Sequence, residues 1–151
     1  MTPRLEHANL AVRDIDATLR FLTTALPDFW LRFDGVDDQG RRWVHVGTDE
    51  AYLALYPASH ERAERWVPYA GAPGVNHLAF VVDDAEAVRQ RLAAAGYRDS
   101  TVANHHPARR RVYFLDPDGN DWEFVQYLSA DPGQRHDYGD ARPWPVSAPR
   151  S

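Results

Sequence analysis

Apolar and polar residues alternate in short runs along most of this chain, and twice the alternation gives way to steps of three and four. From Leu5 the segment LEHANLAVRDIDATLRFLTTAL alternates through Val12, then puts Ile15, Leu19 and Leu22 or Phe21 on one stripe. From Val75 the segment VNHLAFVVDDAEAVRQRLAAAG alternates through Val82, then spaces Ala85, Val88, Leu92 and Ala95 in the same way. Alternation marks a half-buried strand, and the longer period marks an amphipathic helix. Asp14 and Asp84 stand where the period changes and supply the carboxylates that cap a helix start. Gly96 provides the stop of the second helix, and Pro27 lies just beyond the first.

The two segments align at an offset of 70, which puts His7 on His77, Leu10 on Phe80, Val12 on Val82, Asp14 on Asp84 and Leu22 on Leu92. Further strand-like runs follow each helix. The first half offers FWLRFDG, RRWVHVG and AYLALYP; the second offers a weak STVA, then RRRVYFL and DWEFVQYL. The loop NHHPA precedes RRRVYFL, and the turn Asp116-Pro117-Asp118-Gly119 joins it to the last run. Each half therefore reads as strand, helix and three strands. A unit of roughly 55–70 residues is small for a core of its own, so two copies are expected to pack together. The expectation is one α+β domain over residues 1–128, with modules at about 4–57 and 75–128 and a connector at 58–74. A helical turn is expected in the connector around Glu61 to Trp66. Residues 129–151 form a proline-rich tail, either loose or strapped to the surface through Tyr138 and Trp144.

Composition mainly removes possibilities. A formal charge of −5 lacks the basic balance of a nucleic-acid binder. No apolar run approaches the ~18 residues of a membrane span, and the first residues show no basic-then-apolar leader. With no cysteine, disulfides, thiolate ligands and a cysteine nucleophile are excluded. A cytoplasmic location is expected, and any metal must be held by His, Asp or Glu. There is no G-x-S-x-G elbow, P-loop or G-x-G-x-x-G turn.

The residue that most needs explaining is Glu123, between Trp122 and Phe124 in an otherwise apolar strand. A carboxylate there is costly without a positive partner. His7 and His77 hold equivalent places early in their strands, His7 on the face of Leu5, Asn9 and Ala11, His77 on that of Val75, Ala79 and Val81. Two histidines and one carboxylate make a ligand set suited to Fe(II) and its neighbours. The competing reading keeps both histidines structural and pairs Glu123 with Arg109, Arg110 or Arg111 across the hairpin. Of Arg110 and Arg111, one must face each way, and the one lining a cleft can hold an anionic group. His45 faces either the cleft or the outer layer. His105 and His106 are either a short metal-binding tract or solvated loop residues, and His60 and His136 have no supporting pattern. Tyr52, Tyr56, Tyr113 and Tyr127 read as core aromatics, with Tyr56 or Tyr113 also able to donate to a substrate oxygen. Trp43 and Trp122 read as packing residues.

The runs LEHANLAV, VNHLAFVVDD and YFLDPDGNDWEF resemble the vicinal oxygen chelate superfamily, which includes glyoxalase I, extradiol dioxygenases and the bleomycin and fosfomycin resistance proteins. The resemblance covers residues 4 to 128, and DPDGN ahead of Glu123 is its most specific part. It implies two paired βαβββ modules forming a curved mixed sheet around a cleft, with His7, His77 and Glu123 on metal-ligand positions. It further implies a divalent Fe, Mn, Ni or Zn ion and a small substrate with two neighbouring oxygens. The reaction would be a dioxygenase, lyase or isomerase step. Glu123, Tyr56 and Tyr113 are the candidate catalytic residues, and His45 and Arg111 the candidate substrate contacts. A homodimer is compatible with exposed aromatics such as Trp30. One position departs from the four-ligand pattern of glyoxalase-like members: Ala54 occupies the place of the fourth, acidic ligand, and Tyr56 is a poor substitute at neutral pH. The remaining His2Glu set resembles that of extradiol-type dioxygenases. Within the same resemblance lies a second outcome, a metal-free protein that binds a drug or metabolite, with Glu123 paired to an arginine.

Overall fold

Both changes of period become strand-to-helix junctions capped by the expected aspartates. The computed structural model describes residues 4–59, 68–70, 73–103 and 105–139. β1 (His7–Val12) leads into α1 (Ile15–Ala25), whose first turn is closed by the Asp14 carboxylate accepting the Ala17 N–H at 3.0 Å. β5 (His77–Val81) leads into α2 (Ala85–Ala94), where the Asp84 carboxylate accepts from Glu86 and Ala87. α1 buries Ile15, Thr18, Phe21, Leu22 and Ala25, so Phe21 and Leu22 share the core stripe. α2 buries Ala85, Val88 and Leu92. Ala95 is exposed instead, because the helix ends before it and Gly96 turns the chain away at a φ of +83°.

β2 (Trp30–Val36), β3 (Arg42–Gly47) and β4 (Tyr52–Pro57) complete the first module, and β6 (Arg98–Asp99), β7 (Arg109–Leu115) and β8 (Asp121–Tyr127) the second. They form two separate four-stranded sheets, ordered β1-β4-β3-β2 and β5-β8-β7-β6, with the first and last strand of each module parallel. This is the α+β arrangement of two βαβββ modules, with no closed barrel. The registers correspond: Ala54 lies between Asn9 and His45, as Glu123 lies between Ala79 and Tyr113. Ala54 is thus the counterpart of Glu123. The strand expected at STVA pairs two residues earlier, at Arg98 and Asp99. The Thr101 hydroxyl takes over from the ladder, accepting the Tyr113 N–H at 2.9 Å.

Each helix packs on one face of its own sheet, and the two helices pack on each other. Phe21 of α1 reaches the second module, meeting Tyr97 edge-on at 5.0 Å and Trp122 at 6.1 Å. Arg91 of α2 donates to the carbonyls of Thr24 and Ala25 at the end of α1. One continuous apolar cluster therefore draws on both modules. The opposite faces hold every candidate site residue; among the described residues the first carries no helix, and the second meets only the short helix at Pro132–Arg135, at the end where Arg135 covers Tyr127. Among the described residues no helix is long and apolar enough to cross a membrane.

The Asp116–Gly119 turn ties the parts together. The buried Asp116 carboxylate accepts from the backbone N–H groups of Asp118 and Asn120, from Asn120 Nδ2 and from the Trp122 indole, at 2.8 to 3.0 Å. Burial pushes this carboxyl above its usual range, while the bonds from Asn120 and Trp122 pull the other way. In the same turn Asp118 holds Arg13, just past β1, through its backbone N–H at 3.0 Å and its guanidinium at 2.6 Å. α3 (Pro132–Arg135) begins a tail strapped down by Arg109, which donates to the carbonyls of Arg135 and Asp137 and lies 5.3 Å from the Tyr138 ring centre. Trp144 and the helical turn expected at Glu61 to Trp66 lie outside the described residues. Asp116→Ala strands a buried indole N–H and unlocks the turn, so chemical denaturation should show a loss of about 2–4 kcal/mol.

Candidate functional site

Alternation along β8 puts Asp121, Glu123, Val125 and Tyr127 on the face away from α2, while Trp122 and Phe124 enter the core. Glu123 is nonetheless only 8% exposed. Its neighbours on that face come from flanking strands. Parallel pairing with β5 brings His77 alongside, and its Nε2 stands 3.0 Å from Glu123 Oε2. Antiparallel pairing with β7 puts Tyr113 directly opposite Glu123 on the same face. Burial, then the Glu123 charge, pushes the Tyr113 phenol far above its usual range, so it remains a proton donor.

Three further residues complete this cluster. The Tyr69 hydroxyl lies 2.7 Å from His77 Nδ1 and donates to Asp121 Oδ2 at 3.2 Å. Ser100 donates to the other Asp121 oxygen at 2.6 Å. Burial and the Asp121 charge raise the Tyr69 phenol as well. A cavity of about 210 Å³ adjoins the cluster, lined by Tyr69, Ser100, Val102, Arg111, Tyr113 and Asp121 among others. Arg111 is half-buried in its wall and makes no hydrogen bond or ion pair among the described residues. Arg110 faces the other way and is exposed, and Arg109 is engaged with the tail. The arginine pairing weighed for Glu123 is thus replaced by His77 and Tyr113.

The free face of the first sheet has different chemistry. His7 stacks on Tyr52 at 4.8 Å and contacts Glu6. His45 faces this side too, 4.4 Å from Tyr52 and 4.7 Å from Trp43. Trp43 continues the series to Tyr56 at 5.7 Å and to Phe33 at 4.4 Å, and Arg32 lies over the Tyr52 ring at 4.4 Å. Trp43 is therefore part of a half-exposed aromatic wall rather than the core, whereas Trp122 is fully buried. Tyr52, Tyr56, Tyr113 and Tyr127 all lie on free faces and are half-buried. Ala54, 2% exposed, leaves this wall without an acid where the second sheet has Glu123.

His77, Glu123, Tyr113 and Arg111 thus gather on the second sheet, and His7, His45 and Tyr56 on the first. His7 does not join His77 and Glu123: among the described residues no three His, Asp or Glu side chains meet closely enough to hold a metal ion. The His77–Glu123 pair by itself suits a divalent ion, because a buried carboxylate and an imidazole nitrogen converge on one point. His106 is a loop anchor, bonded to the Ala108 N–H and the Asp137 carbonyl; His105 and His136 are exposed, and His60 lies outside the described residues. Sequence reasoning missed Tyr69, Asp121 and Arg32. Asp121 shares the parity of Glu123 and was within reach of that argument; Tyr69, in the connector, gave no periodic signal.

Comparisons with known proteins agree on the fold. The model of the Glyoxalase/Bleomycin resistance protein/Dioxygenase superfamily matches residues 4–124. No curated protein matches the sequence. Among solved structures, a glyoxylase/bleomycin resistance protein/dioxygenase domain from Frankia sp. superposes with a TM-score of 0.70 at 23% identity, covering 91% of this chain and 100% of that one. A fosfomycin resistance protein, FosX, from Mesorhizobium loti gives 0.63 at 22% identity, covering 89% and 98%. A FosX variant from Listeria monocytogenes, complexed with Mn(II) and dihydroxypropylphosphonic acid, gives 0.63 at 20%, covering 91% and 100%.

His45 offers a test of these local fields. Burial first, then the charges of Arg32 and His7, hold its imidazole below its ordinary value of 6.5, with Glu6 opposing. A depressed folded value means its contribution to stability is present above that ordinary value and is lost as pH falls through the folded one. An NMR titration should find His45 neutral where a free histidine is half protonated, and His45→Gln should flatten the acid limb of the stability profile.

Proposed function

The chain belongs to the Glyoxalase/Bleomycin resistance protein/Dioxygenase superfamily, and on that premise we propose that it is a metal-dependent enzyme acting on a small molecule with two neighbouring oxygens. The observation that carries this reading is the buried Glu123 carboxylate facing His77 Nε2 at 3.0 Å. His77 and Glu123 are two ligands, and His7 from a second copy of the chain is the third. The ion, divalent Mn, Fe, Ni or Zn, would supply Lewis-acid polarisation of the substrate oxygens. Ala54 leaves the ligand set at three protein groups.

The protein's own groups divide the remaining work. Glu123 stands beside the reacting end as the ion's carboxylate ligand. Tyr113, kept protonated, presents a donor toward a developing oxyanion. Arg111, without an ion pair among the described residues, binds an anionic substituent from the cavity wall through its planar fork. The Listeria protein's ligand is a small phosphonic acid bearing two hydroxyls. An anionic substrate of that size suits the cavity here. Tyr56 and His45 line the opposite wall once the second copy is in place. Isomerase, lyase and dioxygenase steps all begin with this arrangement, and a cytoplasmic setting suits such chemistry.

The second copy has structural support. The free faces and their edges expose Trp30 at 48%, Phe33 at 42%, Val81 at 70% and Val102 at 79%. Apolar side chains exposed along one face are suited to burial against a partner. A two-fold pair would lay the first-sheet face of each chain over the second-sheet face of the other, completing two identical sites. A second reading, a metal-free protein binding a flat drug or metabolite, is favoured by the aromatic wall from His7 through Tyr52 and Trp43 to Phe33.

Metal analysis after dialysis separates the two readings. The wild type should retain Mn(II) or Zn(II), and His7→Ala, His77→Ala and Glu123→Gln should each lose it. Mixing His7→Ala with Glu123→Gln chains should restore one intact site per mixed pair. A wild type that takes up no metal leaves only the binding-protein reading.

A further inference from the structure

His77 has two ring nitrogens, and only one can face a metal. What holds the other decides which way the ring turns and which nitrogen presents its lone pair. Here the other nitrogen, Nδ1, lies 2.7 Å from the hydroxyl of Tyr69, a residue of the connector rather than of either module. The Tyr69 hydroxyl has one proton and two neighbours, and Asp121 Oδ2 at 3.2 Å can only accept it. With that proton given to Asp121, the Tyr69 oxygen is an acceptor toward His77, so that Nδ1 carries a hydrogen and Nε2 turns its lone pair to Glu123.

Asp121 is itself fixed. It is 6% exposed, and its second oxygen accepts from Ser100 at 2.6 Å. Tyr69 is also held: its backbone N–H donates to Asn76 Oδ1 at 2.8 Å, and its φ is +64°, the one positive value outside glycine among the described residues. A non-glycine residue in this region is uncommon and costs of the order of 1 kcal/mol or more unless its surroundings enforce it. The backbone departure is what brings the phenol over His77. The opposite side of the imidazole is bounded by Tyr113, edge-on at 5.7 Å.

We propose that Tyr69 is a positioning residue for the metal site: with Asp121 and Ser100 it forms a hydrogen-bond relay that holds a proton on His77 Nδ1 and aims Nε2 at the ion shared with Glu123. The proposal rests on His77 being a metal ligand. With Nδ1 committed to Tyr69, two acceptors face each other unless a proton or a cation lies between them. The first module has no such relay, for its equivalent of Asp121 is Tyr52, which stacks on His7 instead of accepting a hydrogen bond.

The experiment compares wild type and Tyr69→Phe, a change that removes one hydroxyl and leaves the ring. Far-UV circular dichroism and the melting midpoint should be unchanged. In the metal-free full-length protein, the wild type should show a slowly exchanging His77 Nδ1–H proton resonance, and Tyr69→Phe should lose it. With Mn(II) as the probe, chelator competition should find binding to Tyr69→Phe weaker by about 10–100-fold, the usual effect of removing a ligand's outer partner. Asp121→Asn should weaken Mn(II) binding in the same direction. An unchanged Nδ1–H resonance, or equal Mn(II) affinity in Tyr69→Phe and wild type, overturns the relay. A wild type that binds no Mn(II) overturns the functional reading, while the Nδ1–H result still decides the role of Tyr69.

Discussion

The place of Glu123 depends on the register of one hairpin, and a buried carboxylate two turns of chain earlier sets that register. Asp116 gathers four hydrogen bonds, one of them from the indole of Trp122. Because that indole sits in the core, the strand cannot slide without pulling it out. A slip of one residue would exchange the two faces of β8, turning Glu123 into the apolar cluster and Trp122 toward solvent. The same turn, through Asp118 and Arg13, also fastens the second module to the end of the first strand. Local register and the packing of the two modules therefore share one small polar structure.

Much of this was legible in the sequence because it follows from period and capping. The switch from alternation to helical spacing at Asp14 and Asp84, and the match of Ala54 with Glu123, needed only the geometry of strands and helices. Other features lie beyond such arguments. Equivalent positions in a repeat need not be neighbours in space, and helix packing decides how far apart His7 and His77 fall. Tyr69 reaches the site through a connector without periodicity and through a backbone angle that no propensity foretells. The pairing at Arg98 instead of STVA was hidden because a threonine side chain took the part of a backbone group. Trp43 was misread as packing because nothing local tells a free sheet face from a helix-covered one.

The second sheet concentrates acid where burial should penalise it. Asp121 and Glu123 point the same way, and both are buried. Asp121 is answered by the hydroxyls of Tyr69 and Ser100, and Glu123 has the Tyr113 phenol and the His77 ring beside it. Hydrogen bonding thus satisfies Asp121, and among the described residues Arg111 pairs with neither acid. Among the described residues the free face of the first sheet has no buried acid and is lined with stacked rings instead. The two modules thus share a backbone plan and solve opposite solvation problems.

That contrast bears on how a bound molecule can lie. A scaffold built from two equivalent units presents a small ligand with two equivalent poses, related by the pseudo-symmetry of the fold. Ala54 against Glu123, and His45 against Tyr113, remove the equivalence at matched positions of the two sheets. One half offers flat, polarizable rings and the other a carboxylate, a phenol and a guanidinium. The duplication furnishes a symmetric frame, and the loss of one acid at Ala54 is enough to make its two halves chemically distinct.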